Sequence, residues 1–507
     1  MTRLTTAATA LAAAAGLLGG AGAAAAAPVD AEGARGGLSR YYHQRLDWTA
    51  CDHEELDAAG ARCANVTVPV DYAKPGGRTM TVVISRLEST DRQQRRGIML
   101  SNPGGPAAPG LAMPLDIRQK LSPEVRARFD LIGMDPRGVG RSSPLDCGWK
   151  VGPALRSAGF DRAGFDRVVA FQQDLARQCV EREGDRLKHV NTRATAHDLD
   201  VVRGALGERK AGYMSWSYGT YLGAVYTQMF PHRVDRVVLD SAVNPRRYGY
   251  PMFQDMGPAS EAAVDEWAAW TARRDAQYHL GTTAAQVRAT VEGLVKRAAE
   301  QPIRVGDKLV DEHLVPMVPF AGMMGPERWD ATATNIRTLV DLADGKPVTP
   351  GPALLGLLGA LDGPNPDPDG DSVSGVLCGD TRAPRDIEHY WREIERNRAS
   401  QPLFGALVNS ITPCAFWPDP KEEPTVVANR TPALIVQATG DARTTYQHGL
   451  DLHKAMKGSR MVTLEDVPVH AVFGSSYSNA CTDAAVNKYF ETGRLPKSDI
   501  TCREDEK

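Results

Sequence analysis

The sequence predicts an α/β protein built on a mostly parallel sheet flanked by helices. Short apolar runs rich in β-branched residues, such as "TMTVVISRL" and "TPALIVQATGD", alternate with amphipathic helical stretches along much of the chain. Glycine-containing turns follow several of these runs, as in "GIMLSNPGG" and "FDLIGMDPRGVG". Buried strands that alternate with helices are typical of parallel sheets, because the helices cover both faces of the sheet.

The first 27 residues have the layout of a secretory signal peptide. One arginine precedes an uncharged run of alanine, leucine and glycine, and small residues stand before Pro28. A membrane anchor is the alternative, but alanine and glycine insert weakly, which favours cleavage. No cysteine follows until Cys51, which argues against lipid attachment at a new N-terminal cysteine. We therefore expect a secreted, extracellular protein with no membrane contact after signal removal, and a flexible or pro-segment over residues 28–46.

Charge and cysteine content narrow the class further. The 59 lysines and arginines against 62 aspartates and glutamates leave a net charge of −3, without the basic excess of a nucleic-acid surface. Eight cysteines behind an export signal indicate disulfides. Zinc is the alternative, but the sequence contains neither the C-x-x-C nor the H-x-x-x-H spacing of a zinc site. Eight cysteines allow 105 connectivities. Pairing sequence neighbours closes the shortest loops and predicts Cys51–Cys63, Cys147–Cys179, Cys378–Cys414 and Cys481–Cys502.

The strand pattern is interrupted in the middle of the chain. Residues 47–245 and 426–507 carry the strand-like runs, whereas 246–425 read as amphipathic helices without strands between them. We predict a core in two parts with an inserted helical cap. Within the cap, "LDGPNPDPDGDS" (361–372) resembles the start of a calcium loop, but Val376 stands where a glutamate is required. A solvated acidic turn is the favoured interpretation, and no metal or cofactor is expected.

Two serines lie one residue apart in "YMSWSYGTYLG", after an apolar run that can form a strand. A nucleophile on a sharp strand-to-helix turn needs small residues two positions before it and two after it. Centring this pattern on Ser215 places Tyr213 and Ser217 there, whereas centring it on Ser217 places Ser215 and Gly219 there. Ser217 is therefore the better candidate, although a chance pair of serines in a loop gives the same letters.

An oxyanion hole requires backbone N–H donors near the nucleophile. The turn "LSNPGGPAAPG" follows an early strand and offers Gly104 and Gly105. Because Pro106 has no N–H, Gly105 is the predicted donor, together with Tyr218, which directly follows the nucleophile. A turn of this composition is by itself more often only a turn.

The other two triad members must follow in the order acid, histidine. Asp441 ends the strand-like "TPALIVQATGD", and His470 lies in a loop after "SRMVTLEDVPV". Asp441 is also compatible with a helix cap, since a helical stretch follows it. His448 and His453 fall inside that helix, too soon to return to the sheet edge. The sequence therefore predicts Ser217, Asp441 and His470 as the triad of a serine hydrolase.

These motifs make the chain resemble the secreted tripeptidyl aminopeptidases of actinobacteria, in the proline-iminopeptidase-like branch of the α/β-hydrolases. The matching stretches run between about Asp47 and Cys502: "NPGGP", "DPRGVGRSS", "SYGTYLGAVY", "RVVLD", "PCAFWP", Asp441, His470 and "YFETGRLPKSDITC". The resemblance implies an α/β-hydrolase fold, the same triad, and release of short peptides, tripeptides in particular, from substrates with a free N-terminus. This chain departs from the pattern at Ser215, which replaces a glycine, and at "GDARTT" and "PVHAVFG".

Two alternatives remain open at this point. A secreted carboxylesterase uses the same triad, and an inactive hydrolase fold can serve as a binding protein. An aminopeptidase must also bind a free α-ammonium group, for which a carboxylate in the cap is the natural partner. Glu261, Glu266 and Asp380 are candidates, although each is also compatible with an ordinary charge on a surface helix or loop.

Overall fold

The computed structural model describes residues 37–152, 155–362, 369–474 and 477–505. The expected signal peptide, residues 1–27, lies outside the described residues, as do residues 28–36 of the expected flexible segment. Among the described residues, no helix is both long and apolar enough to cross a bilayer.

Most strands belong to one large sheet. The strands are β1 (Arg62–Pro69), β2 (Thr79–Leu87), β3 (Gly97–Asn102), β4 (Phe129–Met134), β5 (Ala211–Trp216), β6 (Val234–Asp240), β7 (Ile303–Val305), β8 (Lys308–Val310), β9 (Leu434–Ala438), β10 (Arg460–Leu464) and β11 (Ile500–Cys502). Within the described residues, nine of them form a sheet in the order β1-β2-β4-β3-β5-β6-β9-β10-β11. The β1–β2 and β2–β4 pairings are antiparallel, and all others in this sheet are parallel. The predicted mostly parallel sheet is confirmed.

The helices of the first part of the chain flank this sheet. They are α1 (Ser39–Tyr42), α2 (Glu54–Ala58), α3 (Met113–Lys120), α4 (Pro123–Arg126), α5 (Arg162–Glu183), α6 (Thr192–Ala205) and α7 (Tyr218–Met229). Because helices cover both faces, β3, β4, β5 and β9 are buried at every position. The carboxyl ends of the central parallel strands meet at one edge, where their turns can converge.

The chain leaves the large sheet after β6 and returns at β9. The helices between them are α8 (Tyr250–Ala272), α9 (Asp275–Tyr278), α10 (Ala284–Glu300), α11 (Met317–Gly322), α12 (Trp329–Ala343), α13 (Pro352–Leu361), α14 (Asp369–Asp380), α15 (Ile387–Asn397) and α16 (Gly405–Val408). We call residues 246–425 the cap region. It also contains the antiparallel hairpin β7–β8. The sequence did not indicate this hairpin, because strands of three residues are too short to show alternation. The last helices, α17 (Tyr446–Ala455) and α18 (Ala480–Thr492), follow β9 and β10.

Described residues of two stretches that the sequence suggested to be flexible or solvated, 28–46 and 361–372, pack against the rest of the protein. Residues 39–42 of the expected flexible segment form α1, in which Tyr41 and Tyr42 are buried. The Tyr42 hydroxyl donates to Asp200 at 2.6 Å, which fixes α1 against α6. In the calcium-like stretch, residues 363–368 lie outside the described residues. Asp371 is buried on α14 and accepts the Cys147 N–H at 2.7 Å, so this carboxylate is not part of a solvated turn.

All eight cysteines lie among the described residues, and all are paired. The bonds are Cys51–Cys63, Cys147–Cys179, Cys378–Cys414 and Cys481–Cys502, as the neighbour-pairing rule predicted. One of them, Cys378–Cys414, lies entirely within the cap region. Each of the other three lies within one core part: Cys51–Cys63 and Cys147–Cys179 in residues 47–245, and Cys481–Cys502 in residues 426–507.

Candidate active site

Ser217 occupies the turn between β5 and α7. Its backbone has φ 55° and ψ −129°, a conformation that L-residues rarely adopt. The Ser217 N–H donates to the Asp240 carbonyl at the end of β6, at 3.0 Å, which holds the turn against the neighbouring strand. A strained serine between a strand and a helix is the geometry that exposes a nucleophilic hydroxyl at a sheet edge.

The packing around this turn separates the roles of the two serines. Ser215 is fully buried inside β5, paired with Asn102 on β3 and Leu239 on β6. A Cβ on Gly219 would lie 2.7 Å from the Asn102 carbonyl oxygen and 2.8 Å from the Ser215 Cβ. Position 219 therefore requires glycine. Because Gly219 has no Cβ, there is room for the Ser215 side chain beside it.

Asp441 lies in the turn after β9 and is buried. Its carboxylate accepts the Arg443 N–H at 2.8 Å, the Thr444 N–H at 3.0 Å and the Thr444 hydroxyl at 2.9 Å. Burial by itself raises the pKa of Asp441, but the charge and hydrogen bond of His470 and these N–H groups outweigh it and hold the pKa below its usual value. Asp441 is thus an ionised acceptor.

The His470 ring faces Asp441 with one nitrogen. Nδ1 lies 2.9 Å from Oδ2 and 3.1 Å from Oδ1 of Asp441. A carboxylate accepts, so Nδ1 carries the proton and Nε2 is left to act as a base. Ser217 and His470 line the same cavity, and no hydrogen bond joins them among the described residues. His448 and His453, set aside from the sequence, bond elsewhere, to Asp255 and Ser459.

Asp240 is a residue that the sequence reasoning missed. Its buried carboxylate accepts the Val472 N–H at 3.1 Å and the Phe473 N–H at 2.6 Å. The adjacent Ser241 hydroxyl accepts the Ala471 N–H at 2.8 Å. Burial raises the pKa of Asp240 to about 7. Because the Asp240 carbonyl also accepts the Ser217 N–H, this strand end links the serine turn to the histidine loop. Its only sequence signal was an acid at the end of "RVVLD".

The two predicted oxyanion donors lie beside Ser217. Gly105 lines the cavity, and Tyr218 is the first residue of α7, so its N–H has no carbonyl four residues earlier in the helix. The Gly104 N–H donates instead to Asn102 Oδ1 at 3.0 Å. A Cβ on Gly104 would lie 2.9 Å from the Ser217 Cβ, so the glycine turn packs directly on the turn that carries Ser217.

The cavity above these residues has a volume of about 430 Å³, within the range of ligand pockets. Core turns form its floor, and apolar cap residues form much of its wall: Met252, Phe253, Met256, Phe320, Met324 and Leu377. The cap also holds the histidine loop, since the His470 N–H donates to the Met324 carbonyl at 2.8 Å.

None of the three acids suggested for the substrate's α-ammonium group lines this cavity. Glu261 forms an ion pair with Arg288 and accepts the Phe404 N–H at 2.8 Å. Glu266 is exposed. Asp380 is buried and accepts the Thr192 N–H at 2.7 Å and its hydroxyl at 2.6 Å.

One cluster in the described residues has the composition of a metal site. Asp311, Glu312 and His313 place one ligand atom each within 4.8 Å of one another. The Arg167 guanidinium donates to Glu312 at 2.8 Å, and His313 Nδ1 lies 2.7 Å from the Ser157 carbonyl. These partners engage Glu312 and Nδ1 of His313, whereas His313 Nε2 has no hydrogen-bond partner among the described residues and lies 3.4 Å from Glu312. The cluster does not line the active-site cavity.

Comparison with known proteins gives two kinds of match. A family model described as "TAP-like protein" matches residues 401–502, and one described as "alpha/beta hydrolase fold" matches residues 98–310. The chain is similar to the tripeptidyl aminopeptidase of Streptomyces lividans, at 34% identity over 93% of this chain and 89% of that protein. It is also similar to two Mycobacterium tuberculosis proteins. Serine protease Hip1 is 28% identical over 92% and 93% of the two chains, and carboxylesterase B is 30% identical over 90% and 89%.

Proposed function

The chain belongs to the tripeptidyl aminopeptidase family of α/β-hydrolases and is a serine hydrolase, and from this premise we propose that it is a secreted serine aminopeptidase. In this proposal it releases short peptides, tripeptides in particular, from substrates with a free N-terminus. Ser217, His470 and Asp441 carry the reaction. The observation that supports this most is the His470 Nδ1–Asp441 bond, formed beside a strained serine in one cavity.

The proposed reaction is acyl transfer. His470 Nε2 takes the proton of the Ser217 hydroxyl while Oγ bonds to the substrate carbonyl carbon. The Gly105 and Tyr218 N–H groups stabilise the oxyanion, and each such donor contributes on the order of 10²–10³ in rate. His470 then gives the proton to the leaving amine as the C–N bond breaks. Water, deprotonated by His470, then attacks the acyl-enzyme carbonyl carbon. The bond from this carbon to Ser217 Oγ breaks, His470 returns the proton to Oγ, and the peptide leaves with a new carboxylate. Asp441 orients the ring and stabilises its charged form throughout.

Secretion is supported by two observations of different kinds. Residues 1–27 have a signal-peptide layout, and four disulfides form among the described cysteines. Disulfides persist in oxidising compartments and are rare in the cytosol. N-terminal sequencing of protein recovered from culture medium should give a start shortly after Ala27. A start at Met1 in cell-bound protein would contradict secretion.

A carboxylesterase is the second candidate, and a specific observation favours it. No carboxylate among the described residues lines the cavity to receive an α-ammonium group. Hydrolysis of mono-, di- and tripeptidyl arylamides beside 4-nitrophenyl esters separates the two activities, because esterases rarely cleave amides. We expect the tripeptidyl arylamide to be cleaved with a higher kcat/KM than its N-acetylated form. Cleavage of esters alone would identify the chain as an esterase.

A further inference from the structure

One permanently charged side chain, Arg443, lies among the described residues that line the active-site cavity. No aspartate or glutamate of the described residues lines the cavity, and most of the remaining wall is apolar. An anionic substrate group that enters this space therefore meets the Arg443 guanidinium and no acidic side chain of the described wall.

The Arg443 guanidinium lies between the acid turn and the cap region. It donates to the Phe320 carbonyl and to the Ser260 hydroxyl, the latter at 3.2 Å. Its central carbon lies 3.7 Å from the centre of the Phe320 ring. Only 8% of Arg443 is exposed, and burial lowers its pKa to about 10, so it remains protonated at neutral pH.

The hydrogen-bond partners of this cation are neutral. Asp441, two residues away, attracts the guanidinium through space, but its carboxylate bonds to His470, and no described carboxylate forms an ion pair with Arg443. A buried cation without a direct ion-pair partner keeps part of its desolvation cost. A carboxylate arriving through the cavity would supply a direct partner and accept two parallel N–H bonds from the planar guanidinium.

We propose that Arg443 is a specificity-determining residue that selects substrates with a carboxylate in the part of the molecule that fills the cavity. For a peptide, this is an aspartate or glutamate side chain near the scissile bond. The inference rests on the proposed function for its peptide form, but the charge argument applies to esters equally. The alternative role for Arg443 is structural: its side chain holds the turn after β9, which carries Asp441, against the cap region.

The first measurement uses the wild-type protein and matched substrates. Tripeptidyl arylamides carry glutamate or glutamine at each of the three positions in turn, with alanine at the others. The ester pair is the mono-4-nitrophenyl ester of glutaric acid and that of its neutral monoamide. We expect kcat/KM to be at least tenfold higher for the carboxylate than for the amide at one position, and in the ester pair.

The second measurement repeats both series with Arg443→Met and Arg443→Lys. Arg443→Met should bring the carboxylate-to-amide ratio of kcat/KM to near one, whatever its effect on the absolute kcat/KM for the neutral substrates. Arg443→Lys should keep part of the preference, because the charge remains and the planar fork is lost. If Arg443→Met does not fold, the carboxylate-to-amide ratio of kcat/KM in the wild type and in Arg443→Lys decides whether the cavity selects a carboxylate.

Two results would overturn the inference. A wild-type ratio near one at every position means that the cavity does not read a carboxylate. An equal loss for charged and neutral substrates in Arg443→Met means that the residue is only a structural tie. Failure of the peptidase proposal appears differently: no arylamide is cleaved, while the ester pair still measures the carboxylate preference.

Discussion

Asp240 joins the nucleophile turn to the histidine loop, and replacing it with asparagine tests whether this junction sets the rate. The carboxylate accepts N–H bonds of 3.1 Å and 2.6 Å from Val472 and Phe473, and the Ser241 hydroxyl lies 3.2 Å away. An asparagine has the same size as the aspartate, but one of its two terminal atoms is an N–H₂ donor. That donor would face the backbone N–H of Val472 or Phe473, which then loses its acceptor. The loop that carries His470 must then shift, and a displacement of about 1 Å in a catalytic group costs on the order of 10²-fold.

We therefore expect Asp240→Asn to lower kcat about 10- to 100-fold with little change in KM, measured with the best arylamide or ester at pH 8. Circular dichroism and a cooperative unfolding transition establish that the variant is folded. Asp371→Asn is the matched control, because Asp371 is also a buried acid bonded to a backbone N–H, that of Cys147, and does not line the cavity. It should leave kcat within about twofold. If Asp240→Asn also stays within twofold, the junction does not position His470.

Two further predictions concern stability. Gly219→Ala should lower the free energy of unfolding by about 1–3 kcal/mol, because its Cβ would lie 2.7 Å from the Asn102 carbonyl oxygen. Gly293→Ala on α10 is the control and should not destabilise the protein, because its Cβ would meet nothing within 4 Å. Equal denaturant midpoints for the two variants would contradict the packing argument. Burial also raises the pKa of Asp371 from 3.8 to about 7, so its contribution to stability is present below pH 3.8 and is lost as the pH rises through 7. The wild type should thus lose up to about 4 kcal/mol relative to Asp371→Asn between pH 4 and pH 8, and a difference that does not change with pH would refute the assignment.

The sequence was most informative where local geometry restricts the residue type. Gly219 pointed to Ser217 rather than Ser215, because the turn leaves no room for a Cβ two positions after the nucleophile. The apolar runs before Asp441 and His470 placed both residues after strands of a parallel sheet, and the structure brings these two side chains to 2.9 Å. Neighbouring cysteines also paired as the short-loop rule predicted.

Features that depend on tertiary contacts could not be predicted in this way. Asp240 is an acid at a strand end like many others, and only the return of the histidine loop gives its carboxylate two N–H partners. Arg443 appears in the sequence as one charge in a polar turn, with no sign that it reaches the cap region. Glu261 and Asp380 looked available for a substrate, but Arg288 and Thr192, both distant in the sequence, occupy them.

The site of covalent modification by a fluorophosphonate decides whether Ser217 is the nucleophile. Such a probe reacts with a serine activated by a neighbouring base and leaves a stable adduct that peptide mapping by mass spectrometry can assign. We expect one adduct, on Ser217, which is lost in Ser217→Ala and in His470→Ala and retained in Ser215→Ala. An adduct on Ser215, or labelling that survives Ser217→Ala, would contradict this assignment.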